Sequence, residues 1–288
     1  MSDITSRPLP GRLGNLTDEQ QHILAAFREQ LVAEGIFVPE RMDDPFLLRF
    51  LRARKFDLAK AMAMLREAEE WRKADGVNDI LETFDFKEKV EVDKWYPQYY
   101  HKTDKVRSPV HHRARSPHPP QDGRPIYIEV LGKLDIEELY KVTTQDRQIR
   151  RLVWEYEKSA KVRFPACTKA FGHPVETSCT ILDLANVSVT KFYHVKDYVS
   201  RASRISSDRY PETMGKFYII NAPWAFSAVW SVVKPWLDPV TVAKINILGS
   251  SYKDELFKQI PSENLPRQFG GTCDCPGGCS LSDAGPWN

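Results

Sequence analysis

Three cysteines within seven residues, Cys273, Cys275 and Cys279 in "CDCPGGC", are the side chains of this sequence best suited to hold an ion. Thiolates are soft ligands for zinc, and a structural zinc takes four donors, all thiolate or a mixture of thiolate and imidazole. The segment supplies three, and no fourth Cys or His lies near it in that tail. The expectation is therefore a plain Gly/Pro-rich tail with no metal. His173 and Cys179 offer a second pairing, a base and a nucleophile for an unorthodox hydrolase. A single cysteine inside the apolar run "TSCTILDL" is more often a small packing residue. The signatures of common α/β enzymes are missing: no G-x-G-x-x-G follows the first strand pattern, and there is no phosphate-cradling P-loop or G-x-S-x-G elbow. We expect a protein that is not an enzyme.

The elements that must position any binding residues read clearly. The chain has 288 residues, 42% hydrophobic and 28% charged, enough to bury a sizeable core. Its net charge of +2 gives no reason to expect a nucleic-acid partner. Residues 1–11 carry an acid and no apolar core, unlike a secretory signal. Five cysteines without such a signal point to a reducing compartment. Residues 217–233, "FYIINAPWAFSAVWSVV", carry no charge, but Asn221 and Pro223 divide them into a strand and an amphipathic helix rather than a membrane span.

Three helices are expected first. Thr17 to Gly35 opens on a Thr17/Gln20 capping box with Leu24, Phe27 and Leu31 as its stripe. "DPFLLRFLRARKF" takes Asp44 as N-cap and Pro45 at the first turn. "DLAKAMAMLREAEEWRKADG" starts at Asp57 and places Leu58, Met62, Leu65 and Trp71 on one side. From Arg124 the period changes. "RPIYIEVLG", "TSCTILDL", "KFYIINAP" and "KINILG" read as strands, separated by helical patterns near 145–162, 194–209 and 224–233, the last continued at 240–244. The fold class is α/β, a mainly parallel, helix-covered sheet behind a small all-α domain.

Several stretches, in order along nearly the whole chain, resemble the CRAL-TRIO lipid-binding family in its fungal phosphatidylinositol/phosphatidylcholine transfer branch. They are "LLRFLRARKFD", "WYPQYYHKTDK", "DGRPIY", "VETSCTILDL", "YPETMGKFYIINAP", "LDPVTVAKINILGSSY" and "IPSENLPRQFGG". The resemblance implies a CRAL-TRIO domain over 93–271 whose sheet floors a deep apolar pocket, a helical domain over 17–92, and tails at 1–16 and 272–288. It implies exchange of single phosphatidylinositol or phosphatidylcholine molecules between membranes and presentation of phosphatidylinositol to lipid kinases. The phospholipid is then the bound ligand and no cofactor is needed. The same resemblance implies transient contact with membranes, in the cytoplasm and at Golgi or other endomembranes; nothing in the sequence suggests an obligate dimer, and a monomer is expected.

For phosphatidylcholine, the resemblance puts Ser178 and Thr180 at the phosphate and Tyr100, Tyr127 and Tyr156 around the choline, where aromatic faces attract a quaternary ammonium. For phosphatidylinositol, it marks Arg54, Lys55, Asp104, Glu212, Thr241 and Lys244. Cations meet the phosphate, and the carboxylates accept from inositol hydroxyls or hold the cations in place. Trp224, Val229, Trp230, Val233 and Trp236 fall on the family's mobile gate, with an apolar face suited to a bilayer boundary. Asn246 departs from the branch, which usually carries an aromatic residue there. A carrier of another hydrophobe, such as a sterol or tocopherol, is the alternative; the paired sets Ser178/Thr180 and Glu212/Lys244 argue against it, because hydrocarbon-like ligands need no such polar groups.

One stretch has no counterpart in the family. Residues 106–121 carry three Arg, three His and four Pro without an acid, between "TDK" and "DGRP". We read them as an unspliced intron, since Val codons begin with GT, Gln can be CAG, and deletion restores the family junction in frame. The competing reading is a cationic loop that adds attraction to anionic lipid.

Overall fold

The computed structural model describes residues 9–105, 123–187 and 189–288. The insertion expected at 106–121 lies outside them. The described chain separates into two compact units.

The first unit comprises the described residues up to Asn78 together with Ser206–Thr213. Helix α1 (Asp18–Ala33) opens on the expected capping box, with Thr17 and Gln20 exchanging bonds. Helix α2 (Asp44–Ala53) is capped by Asp43, one residue before the expected Asp44, because the Asp43 carboxylate reaches the Phe46 N–H at 2.9 Å. Helix α3 (Leu58–Ala74) starts from the Asp57 cap. Their facing stripes, including Phe27, Leu31, Leu47, Leu51, Met62 and Leu65, form one core.

The second unit holds the sheet. Helices α4 (Ile80–Thr83) and α5 (Lys89–Trp95) belong to it, so this unit begins at Asp79 where the sequence division was drawn at 92/93. The reason is packing: Val92 and Tyr96 share a core with Leu134, Leu139 and Val195. Strand β1 (Gln98–Thr103) follows, then β2 (Pro125–Val130), α6 (Ile136–Val142), α7 (Gln145–Lys158), a wide turn of helix at Ser159–Arg163, and α8 (Phe164–Phe171). Strand β3 (Ser178–Asp183) leads to α9 (Val189–Arg209), whose last residues enter the first unit, and to β4 (Met214–Ile220). Helices α10 (Phe226–Val233) and α11 (Pro239–Ala243) cross to β5 (Ile245–Ile247); α12 (Lys253–Gln259) and α13 (Cys279–Ser282) close the chain.

Among the described residues the sheet has five strands in the order β1-β2-β3-β4-β5, antiparallel between β1 and β2 and parallel thereafter. One face carries Ile126, Ile128, Cys179, Ile181, Tyr218 and Ile220 and is buried with Leu256, Ile260, Leu265 and Phe269. Cys179 is fully buried there, a packing residue as expected. The residues after 271 are not a loose tail: Cys273 is buried, and Trp287 packs against the small core of Phe164, Cys167 and Val175. No helix among the described residues is long and apolar enough to cross a membrane.

Helix α7 is fixed at its start by Glu88, which accepts from Arg147 Nη2 at 2.8 Å and from the Thr143 hydroxyl at 3.0 Å. The Arg147 guanidinium holds the Glu88 carboxyl down at about 2, against an ordinary 4.5. A depressed carboxyl contributes stability above its unfolded value and loses it as pH falls toward the folded one. Glu88→Gln is therefore expected to flatten the pH dependence of unfolding free energy between about pH 4.5 and 2, measured by urea titration across that range. An unchanged slope would show that this pair does not carry the acid sensitivity.

Candidate functional site

The sheet face opposite the core just described has a built-in polarity. In register across it run Tyr100, Tyr127, Thr180, Phe217 and Ile245. Two residues along each strand, a second row runs Gln98, Glu129, Leu182, Ile219 and Ile247. Period-two alternation puts both rows on one face. Strands β1 to β3 thus contribute phenols, an amide, a carboxylate and a hydroxyl, while β4 and β5 contribute only hydrocarbon.

Tyr127 and Glu129 keep accessible surface, yet burial raises both the Tyr127 phenol and the Glu129 carboxyl above their ordinary ranges. Desolvation disfavours the charged form of each group. The Tyr96 hydroxyl donates to Glu129, and the Gln98 amide reaches the Tyr198 hydroxyl at 3.5 Å. Helix α7 brings further polar groups to this region: Arg151 is buried and donates to the Gln98 carbonyl. Buried Gln148, on the same helix, has no hydrogen-bond partner for either amide atom among the described residues. Sequence reasoning missed Gln98, Glu129, Gln148 and Arg151. The signal for Glu129 was present, because it stands two residues beyond Tyr127 in an alternating strand.

Of the five residues expected around phosphatidylcholine, Tyr100, Tyr127 and Thr180 meet in one cross-strand row. The rings of Tyr100 and Tyr127 lie 5.0 Å apart. Ser178 is half-buried at the start of β3, and Tyr156 is half-buried on α7. Tyr100 already holds a cation: the Arg163 guanidinium carbon sits 4.0 Å from its ring centre. Arg163 is buried and bound by Glu155 at 2.9 Å, by Ser159 at 3.2 Å and by Asp283 at 3.3 Å. The wide helical turn at Ser159–Arg163 delivers it there. Nothing in the alternation of strands or the helix period announces such a turn.

The six residues expected around phosphatidylinositol divide between the units. In the first, Arg54 caps α2, and exposed Lys55 and half-buried Phe56 follow with positive φ of 52° and 61°. Glu212, also with positive φ, faces Arg52, the nearest side-chain atoms 3.9 Å apart. The segment carrying Glu212 is anchored by Tyr210, edge-on to Trp71 at 6.1 Å. In the second unit, Thr241 donates its hydroxyl to Asp238, the cap of α11, and Lys244 closes the same helix.

Asp104 is engaged by donors from the protein itself. It is buried, and its two oxygens accept from the backbone N–H of Gly123 and of Arg124 at 2.7 Å, from Arg124 Nη1 at 2.8 Å and from the Gln259 amide at 2.8 Å. Four donors occupy the acceptor positions a carboxylate offers. Asp104 fastens the end of β1 to the start of β2 and to α12. Gly215 leaves the room this needs, since a side chain there would meet Arg124 Nε at 2.6 Å.

The segment linking β4 to β5 is apolar and open. Trp224 is 94% exposed; Val229 is buried, and Trp230, Val233 and Trp236 are half-buried. Asn246 directs its amide toward the Phe217 and Lys244 carbonyls, both at 3.4 Å.

Comparison with known proteins agrees with this architecture. The CRAL/TRIO domain matches residues 117–271, and the CRAL/TRIO N-terminal domain matches 21–67. The Sec14 cytosolic factor of Schizosaccharomyces pombe is 48% identical over 100% of this chain and 97% of its own. The SEC14 cytosolic factor of Eremothecium gossypii is 52% identical over 97% of this chain and 86% of its own. The phosphatidylinositol/phosphatidylcholine transfer protein SFH4 of Arabidopsis thaliana is 42% identical over 93% of this chain and 42% of its own. The crystal structure of Sfh5, 15% identical, superposes with a TM-score of 0.62 over 82% of each chain, a likeness of fold.

Replacing Asp104 by Ala removes the buried carboxylate that pairs with Arg124 and accepts from Gly123 and Gln259. Breaking such a pair costs about 3–5 kcal/mol. Asp104→Ala is expected to lose stability on that scale in urea unfolding; a loss below about 1 kcal/mol would place the carboxylate outside the structural framework.

Proposed function

The chain belongs to the CRAL/TRIO family, and we propose that it is a phospholipid transfer protein that carries one phosphatidylinositol or phosphatidylcholine molecule at a time. It is a carrier and not a catalyst, its ligand a phospholipid and no cofactor required. The observation that supports this best is the divided sheet face, polar at Tyr100, Tyr127, Glu129 and Thr180 and apolar at Phe217, Ile219 and Ile245. A sterol or tocopherol has no use for so many polar groups, whereas a lipid with a charged head and two hydrocarbon tails needs both halves.

In this reading Ser178 and Thr180 donate to the phosphate of phosphatidylcholine. Tyr127 and Tyr156 offer aromatic faces to the choline, and Tyr100 serves chiefly as the rigid wall that Arg163 backs. Arg54 and Lys55 in the first unit, and Thr241 and Lys244 in the second, are the cations and hydroxyl we assign to phosphatidylinositol on the family resemblance. Glu212 orients the cations of its own unit, and Asp104 acts through Arg124 rather than on lipid. The linker carrying Trp224, Val229, Trp230, Val233 and Trp236 opens at a membrane surface, with Trp224 as the first group to enter. The protein then works as a cytosolic monomer that visits Golgi or other endomembranes and offers phosphatidylinositol to lipid kinases.

Mass spectrometry of lipid extracted from the purified chain tests the proposal. Phosphatidylinositol and phosphatidylcholine, together close to one per chain, are expected; a sterol as the dominant ligand would overturn it. Lys244→Ala is expected to reduce phosphatidylinositol transfer by about ten-fold or more while phosphatidylcholine transfer is retained. A charge-assisted hydrogen bond contributes roughly 1.5–3 kcal/mol, and about 1.4 kcal/mol is ten-fold. Equal loss of both activities would remove Lys244 from headgroup selection. Trp224→Ala is expected to slow transfer of both lipids together and to weaken co-sedimentation with vesicles. Unaltered vesicle binding would take Trp224 out of the membrane contact.

A further inference from the structure

The three thiols of "CDCPGGC" are joined in space by a fourth donor that their place in the sequence hides. His101 lies on β1, on the sheet face away from Tyr100, and its Nε2 is 3.3 Å from Cys273 Sγ. Cys273 Sγ is 3.7 Å from Cys275 Sγ. The ligand atoms of His101, Cys273, Cys275 and Cys279 all lie within 4.8 Å of one another. We propose that His101, Cys273, Cys275 and Cys279 bind one structural Zn2+ ion in a Cys3His tetrahedron.

The spacing fits. With Zn–S near 2.3 Å, a tetrahedron puts two sulfurs about 3.8 Å apart, and with Zn–N near 2.0–2.1 Å it puts sulfur and nitrogen about 3.6 Å apart. The observed 3.7 and 3.3 Å fall near those edges. All three cysteines are free thiols rather than disulfide partners. The turn between them folds Cys279 back, with Gly277 and Gly278 at positive φ of 74° and 94°. Three thiolates and an imidazole select a borderline-soft ion, and a set with no open position is structural rather than catalytic.

The surroundings also orient the imidazole. The Ser282 hydroxyl donates to the Cys279 carbonyl at 3.0 Å, so its oxygen is left to accept from His101 Nδ1–H at 3.2 Å. That tautomer directs the Nε2 lone pair at the cysteines, as metal-binding histidines require. The ion would bind the last described segment to the edge strand. Lys102 N–H already donates to the Ala284 carbonyl at 2.5 Å. Asp283 in turn holds Lys158 at 2.6 Å and Arg163 at 3.3 Å, and Arg163 backs Tyr100. The site lies apart from the lipid-facing residues and does not rest on the proposed function.

Metal analysis of the full chain, purified from zinc-supplemented cells and passed through a chelating column, tests the proposal directly. About one zinc per chain is expected, with a lowered unfolding temperature after removal by a strong chelator. Co2+ in its place should give thiolate charge-transfer bands and the intense visible bands of a tetrahedral ion. Cys275→Ser is expected to lose most of the metal, whereas His101→Cys, which keeps four ligands, is expected to retain it. Less than about a tenth of an equivalent of zinc in the unaltered protein, with Cys273, Cys275 and Cys279 open to alkylation, would overturn the site. So would a mass two hydrogens lighter, the mark of a disulfide between two of them.

Discussion

A buried charge must be answered, and the answer given to Asp104 organises the sheet unit. Its carboxylate, fully enclosed, takes hydrogen bonds from Gly123, Arg124 and Gln259, and so draws β1, β2 and α12 to one point. Arg124 also reaches the Thr177 hydroxyl, just before β3. The cross-strand row from Tyr100 through Tyr127 to Thr180 begins only a few residues away, so its register depends on this knot. Gly215 at the same spot is a matter of space: the arginine leaves no room for a side chain. Interactions of this kind are strong because every partner is present, and are costly when one is removed.

The two faces of the sheet divide the labour. One is closed by α12 and the segments after it and supplies ordinary packing energy. The other keeps polar groups under cover at one side and hydrocarbon at the other, which is a poor design for stability and a good one for holding an amphiphile. The presence there of half-buried Glu129 and of buried Gln148 and Arg151 makes sense in that light. A surface meant only to pack would have replaced them with aliphatic side chains.

Much of this was legible in the sequence because it depends on local periodicity. The β-branched runs gave β2 to β5, and the Thr17/Gln20 box gave the start of α1. Strand β1 was not seen as a strand, since "QYYHKT" is an edge segment with little aliphatic content and a residue, Lys102, at positive φ. That one omission hid both the Tyr100–Tyr127 pairing and the approach of His101 to the cysteines. Asp104 was picked out from the family pattern with two roles open, accepting from inositol hydroxyls or holding cations in place; the pattern marks a position and cannot tell a carboxylate that meets ligand from one that holds an arginine. Arg163 was missed for a different reason, because the wide turn that carries it leaves no trace in residue spacing.

Strand β1 is also an edge, and edges invite trouble. An unpaired strand offers its amides to any other chain, which is how sheets grow into aggregates. Here the residues after 271 lie along that edge, with Ala284 taking the Lys102 amide and α13 packed beside the strand. What looks in composition like a spare Gly/Pro-rich extension is the cover of that edge. A nick or frameshift in this short stretch would spare most of the lipid-facing side chains and still leave the β1 edge open to pairing with other chains.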